Sequence, residues 1–179
     1  MRWSLSLILM IQLAYGQNGQ RIYDLYQQGM YREACDLGYR FFAPNQNNES
    51  YVSLVGFACL KAEQIDRLSP VMSALSETKE ARANSAYFSL IVMQKKLLMQ
   101  ALYDNKSLQN LQFPTSSHLI SKLFHLYLKN PQLNTSLKEY IDPTNTRQSY
   151  KLYTVELNGK KTIAIDEYYD KILTIHHTY

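Results

Sequence analysis

Two four-residue runs in matching places frame the first half of this chain. Tyr31-Arg32-Glu33-Ala34 and Ile65-Asp66-Arg67-Leu68 stand 34 residues apart, and each follows a turn signal, Gly29 before the first and Ala62 to Gln64 before the second. Apolar residues on either side recur at helical spacing. A 34-residue period of this kind confines Tyr23 to Leu75 to two helical hairpins, each burying its apolar stripe against the other.

Taken in order, Gln20 to Gln28 is predicted as a first helix with Ile22, Leu25 and Tyr26 on one face. Gly29 breaks it, since glycine supplies the backbone freedom of a tight turn. Tyr31 to Phe42 is the second helix, with Tyr31, Ala34, Leu37 and Phe41 on its apolar side, and Pro44 with the Asn run after it is expected to end it. Asn48 or Ser50 caps a third helix that turns Val52, Val55, Gly56, Cys59 and Leu60 inward. Ser69-Pro70 opens a short fourth helix carrying Val71, Met72, Ala74 and Leu75. Glu80 to Tyr103 is the longest helix, apolar nearly all round and therefore central. Ser116 or Ser117 caps a helix reaching Lys129, which pairs with the long one as a third, irregular hairpin. Leu133 to Tyr140 reads as one more short helix before the linker 141–146.

Gly29-Met30-Tyr31-Arg32-Glu33-Ala34 resembles the turn into the second helix of the tetratricopeptide repeat. Val55-Gly56 falls where that family has Leu-Gly. The resemblance spans residues 20–78. It implies stacked antiparallel hairpins whose concave face takes a peptide or a partner helix, with Tyr23, Tyr26 and Tyr51 as candidate lining residues; packing between the helices is the competing role for each. Gly38, in place of a large aromatic, and Pro70, inside the second helix of the second unit, depart from the family pattern.

The period changes from helical to twofold after Arg147. Tyr150 to Leu157 and Lys160 to Ile165 are two β-rich runs joined by Asn158-Gly159, whose residues suit the positive φ of a two-residue hairpin turn. Such a turn fixes register. Glu156 is placed opposite Lys161, Thr154 opposite Ile163 and Leu152 opposite Ile165, with Val155–Thr162 and Tyr153–Ala164 on the other face. One face is expected to cover helices, because a lone hairpin is marginal in water. Residues 171–176 are a third strand or, alternatively, a terminal helix. The fold class expected is mainly α, stacked helical hairpins over residues 17–140, followed by a β-hairpin or three-stranded meander over 141–179.

The first 16 residues read as a secretory signal peptide: Arg2, an apolar run from Trp3 to Ala14, and small residues at Ala14 and Gly16 that place cleavage before Gln17. An uncleaved anchor or a buried first helix is the alternative. The run is shorter than the roughly 20 residues that span a bilayer, and no later stretch qualifies. The expected address is the periplasm. Formal charge is only +4, with Lys and Arg dispersed, which leaves no nucleic-acid footprint.

Two cysteines, Cys35 and Cys59, flank the 44–49 loop symmetrically. Antiparallel helices folded about that loop would bring the thiols to one height, so a disulfide is expected in an oxidising compartment; two buried free thiols are the alternative. No Cys-x-x-Cys spacing suggests a metal or redox pair. His118 and His125 lie seven apart rather than the three or four that chelate from one helix. His176 and His177 would point to opposite faces of a strand, and read as a solvated tail. Asp142 and Glu167 read as solvated loop carboxylates. No phosphate loop, nucleophile elbow or zinc-protease helix is present. No catalytic residue, cofactor or metal ligand is assigned. The expected function is a non-enzymatic adaptor or scaffold with a protein partner in the cell envelope. The alternative is a small-ligand or cell-wall-binding module whose C-terminal strands, with aromatics such as Tyr153 on the outer face, do the recognising.

Overall fold

A computed structural model describes residues 16, 18–131 and 137–179. Apart from Gly16, the expected signal peptide and its cleavage point lie outside the described residues, as does the 133–136 part of the short helix expected at Leu133 to Tyr140. Described elements run as seven α-helices followed by a four-stranded antiparallel sheet in the order β1-β2-β3-β4. The chain divides into two compact units, one through Ser89 and one from Leu90.

In the first unit, α1 (residues 18–27) ends where Gly29 takes φ +76° and lets the Met30 amide donate back to the Leu25 carbonyl at 2.9 Å. Helix α2 spans Tyr31–Arg40, and a one-turn helix α3 (Phe42–Asn45) follows a break at Phe41. Pro44 therefore lies inside a helix rather than ending one. In a first turn its missing N–H has no intrahelical acceptor to disappoint. Asn48 caps α4 (Glu49–Lys61), its Oδ1 accepting the Tyr51 amide at 3.1 Å. A 3-10 turn, Ile65–Arg67, runs into α5 (Leu68–Ala74), so Pro70 again occupies a first turn and the helix starts just before Ser69.

Two glycines set the spacing of these helices. A Cβ on Gly38 of α2 would stand 2.5 Å from a methyl of Val55 on α4. The small residue where an aromatic was expected is what brings the two helices together. Gly56 does the same on an adjacent face of α4, where a Cβ would meet the Phe88 ring at 2.6 Å. Cys35 and Cys59 form a disulfide across the α2–α4 contact, with Cα atoms 4.7 Å apart, and both are fully buried. Ile22, Ala34, Val52, Val55, Leu68 and Val71 complete this core. Helix α6 spans Lys79–Tyr103 and is capped by Thr78. Ala81 and Phe88 are buried in the first unit, but Ala83 and Ala86 are exposed, so its opening turns are amphipathic, not apolar all round.

The second unit holds the rest of α6, helix α7 (Leu119–Lys129) and strands β1 (Lys138–Ile141), β2 (Gln148–Leu157), β3 (Lys160–Tyr169) and β4 (Ile172–Thr178). The cap of α7 is His118, whose Nδ1 accepts the Ile120 amide at 3.2 Å; Ser116 sits one step further out and accepts the His118 amide. The β2–β3 register matches the sequence expectation pair for pair, Glu156 opposite Lys161 through Leu152 opposite Ile165. Residues 138–140 are strand, not helix. They pair with β2, Tyr140 opposite Tyr150 and Lys138 opposite Leu152, and this non-local partner overrides a locally helical pattern. The third expected strand is β4, entered through Asp170 and Lys171, both at positive φ, while Tyr168 and Tyr169 belong to β3.

Alternation divides the sheet into two faces. The inner face carries Tyr140, Tyr150, Leu152, Ile163 and Ile165, all buried, and α7 lies across it. Lys122 of α7 donates to the Tyr150 hydroxyl at 2.9 Å, Tyr140 donates to the Asn130 carbonyl at 3.1 Å, and the His118 ring meets Tyr179 edge-on. From α6, the Tyr103 hydroxyl donates to the Thr162 carbonyl.

Candidate interaction surface

The expected lining residues on the hairpins do not form one surface. Tyr23 is 48% exposed, and Tyr26 is half-buried with its ring edge-on to Tyr31 at 5.2 Å. Tyr51 is buried, and its hydroxyl donates to the Gly38 carbonyl at 2.9 Å. It ties α4 to α2 at their point of closest approach and offers nothing to a partner. Burial pushes its phenol up to about 12.

The isolated carboxylates also take other roles. Asp142 is a buried group in the β1–β2 turn, not a solvated loop charge. It accepts from Lys122 Nζ at 2.8 Å, the Tyr150 hydroxyl at 3.0 Å, and the amide and hydroxyl of Thr144 at 2.8 and 2.6 Å. Burial alone would raise its pKa; the bonds from Lys122, Thr144 and Tyr150 outweigh that and hold it well below the usual carboxylate range. The site is a clamp between α7 and the sheet. All four of its acceptor directions are used, which leaves no lone pair for general-base chemistry. Glu167 is half-buried on β3 and accepts from Gln148 Nε2 at 3.1 Å. His176 and His177 lie on β4 and face opposite sides, each beside a carboxylate: His176 Nδ1 is 2.6 Å from Asp166 and His177 Nε2 is 2.8 Å from Glu167. Among the described residues no group of three His, Cys, Asp or Glu is placed to hold a metal ion, and no helix is long and apolar enough to cross a membrane.

What remains open to a partner is concentrated on the sheet. Ile172 is 70% exposed and Leu173 and Ile175 are 51% exposed, all on β4, with Tyr169 beside them. β4 is an edge strand of seven residues, Ile-Leu-Thr-Ile-His-His-Thr, with no Lys and no Pro. Edge strands are ordinarily shielded by such residues or by being short. The opposite edge, β1, is shielded in both ways: it has four residues, two of them Lys138 and Glu139, and Pro143 follows its end. Apolar side chains on β4 also project to both faces, Ile172 and Ile175 to the inner side and Leu173 to the outer.

The outer face is ordered in rows across the strands. Ile141, Ser149, Tyr168 and Leu173 form one row; Glu139, Lys151, Asp166 and His176 form the next; Tyr153, Ala164 and Thr178 the third. In the second row Lys151 stands between the carboxylates of Glu139 and Asp166, with its Nζ 3.3 Å from Glu139. Lys151 also lies over the Tyr168 ring, 5.0 Å from its centroid, and Tyr153 donates to Asp166 at 3.1 Å. The alternation of the terminal strands was the sequence signal for this face. Nothing local marked β1 as its fourth member.

No family model, curated protein or solved structure matches this chain.

Proposed function

We propose that this protein is a non-enzymatic interaction module of an oxidising envelope compartment, the periplasm, and that it docks a protein partner along the free edge of β4. The observation that carries this reading is the unshielded edge itself: a seven-residue strand with Ile172, Leu173 and Ile175 about half or more exposed. An added strand would satisfy the edge's open backbone groups and cover apolar side chains on both faces at once, which a pocket on one face could not do. The Cys35–Cys59 disulfide supports the oxidising address. The close packing at Gly56, where the tetratricopeptide family has the glycine of its Leu-Gly pair, supports a tetratricopeptide-like reading of the first unit, as a scaffold that holds the chain's fold.

The test is photo-crosslinking in cells, with a crosslinking amino acid in place of Leu173. A defined protein adduct is expected, and an added Ile175→Lys substitution should abolish it while leaving circular dichroism and the disulfide unchanged. An adduct indifferent to that charge would sink the reading. A small-ligand or cell-wall-binding module is the second reading, favoured by Tyr153 and Tyr168 on the outer face; adducts to glycan alone would turn the conclusion to it.

A further inference from the structure

We infer that the depression on the outer face of the sheet, between Ile141 and Tyr168, takes a short extended peptide segment that carries a carboxylate beside an apolar side chain. The inference rests on the protein-partner reading and names the chemistry of that partner. The depression encloses about 500 Å³, and its side-chain walls are Glu139, Ile141, Ser149, Lys151, Tyr168 and Lys171. It exists because Ser149 stands between two large residues in one cross-strand row. A side chain that ends at Oγ leaves a gap, with Ile141 and Tyr168 as its walls.

The charge in this depression is unbalanced. Glu139 is taken by Lys151 at 3.3 Å. The carboxylate next to Lys171 in sequence, Asp170, is taken by Arg147. No carboxylate among the described residues pairs with Lys171, which is exposed on the β3–β4 turn at φ 67°. One surplus ammonium therefore stands beside an apolar surface: Ile141 is 64% exposed, and Leu173 at the far end of the same row is 51% exposed. A carboxylate complements the first and an apolar side chain the second. A neutral sugar fits less well. Sugars stack on bare aromatic faces, and Lys151 already lies over the Tyr168 ring. Nucleic acid is opposed by the carboxylates of Glu139 and Asp166 in the adjoining row.

The experiment uses the full exported chain with its disulfide intact. The probes are a fluorescein-labelled octapeptide of alternating Leu and Asp with Gly-Ser ends, and its counterpart with Lys for Asp. Fluorescence anisotropy should show the acidic peptide binding at least about tenfold tighter, with the difference shrinking at high salt. Lys171→Glu should weaken the acidic peptide at least about fivefold, and Lys171→Arg should keep its affinity within about twofold. Equal binding of the two peptides, no binding of either, full affinity in Lys171→Glu, or binding of N-acetylglucosamine oligomers in place of the acidic peptide would each overturn the inference. None of these bears on the β4 edge, whose own failure is read separately from Ile175→Lys in cells.

Discussion

The two units are held together in different ways. In the first, α2 and α4 meet at Gly38 and Val55, with a disulfide a few residues away, and no partly exposed polar group is needed at the contact. In the second, α7 is fixed to the sheet by Asp142, which binds Lys122 and Tyr150 at once. One contact rests on shape, a covalent bond and the buried Tyr51 hydrogen bond to Gly38, the other on a charge whose partners must stay in place. The rigid contact sits in the unit with few exposed apolar residues. The ionic one supports the sheet whose edge strand β4 has no further strand beside it among the described residues. On the proposed reading, a scaffold and a contact surface are separated along the chain.

The largest effect expected is on the shape-dependent contact. Gly38→Leu would drive four carbons into Val55, and a cost of about 3 kcal/mol or more is expected from overpacking that neither helix can relieve. Denaturant unfolding of the variant would measure it; a loss under about 1 kcal/mol would mean the helices separate freely. Next comes the disulfide. It closes a loop with a sequence separation of 24, worth about 3 kcal/mol by chain entropy. Cys35→Ser with Cys59→Ser should lose about that much, and amide exchange should rise at Val52 and Val55 before it rises at Leu152 and Ile165. Equal loss of protection in both units would erase the contrast drawn above.

Asp142→Asn tests the other contact. It keeps the shape and removes the charge that Lys122 and Tyr150 bind, so a loss of about 2 kcal/mol is expected. Because Lys122 is 41% exposed, it can return to water, and the cost stays below that of a fully buried broken pair. The contrast with the cysteine variant is the informative part: here exchange should rise first at Tyr150 and Leu152.

Much of the architecture was legible, and the exceptions share a cause. The β2–β3 register could be read because Asn158-Gly159 permits one turn, and one turn fixes every pair that follows. The disulfide could be read because the 44–49 loop makes positions 35 and 59 symmetric about it. Strand β1 could not, because only its pairing with residues 149–152 makes Lys138 to Ile141 extended. Asp142 looked like a loop charge because its partners, Lys122 and Tyr150, are 20 and 8 residues away. Tyr51 could be read either as a lining residue or as packing between helices, because tyrosine is amphipathic; its hydroxyl is claimed by a carbonyl that only the glycine-spaced helix pair brings near. The β4 edge was half legible: its alternation was visible, but its exposure depends on what the rest of the chain leaves uncovered.

The smallest effect expected is the most local. Glu49 opens α4, and its carboxylate accepts the amides of Ser76, Glu77 and Thr78 at 2.8, 2.6 and 2.9 Å, just ahead of α6. The Glu77 amide bond, with those of Thr78 and Ser76 beside it, lowers its pKa to about 2. A folded-state pKa below the unfolded value near 4 stabilises the fold above that value and is lost as pH falls toward 2. Asp142 is depressed too, so acid acts on both units, whereas reduction acts on one. Glu49→Gln should leave the melting temperature at neutral pH only slightly lower. It should also remove the acid-induced shift of the 76–78 amide resonances between pH 4 and 2, without touching the acid response at Thr144. If the 76–78 amides still titrate in the Gln variant, another group holds that corner, and the first unit would depend on charge as the second does.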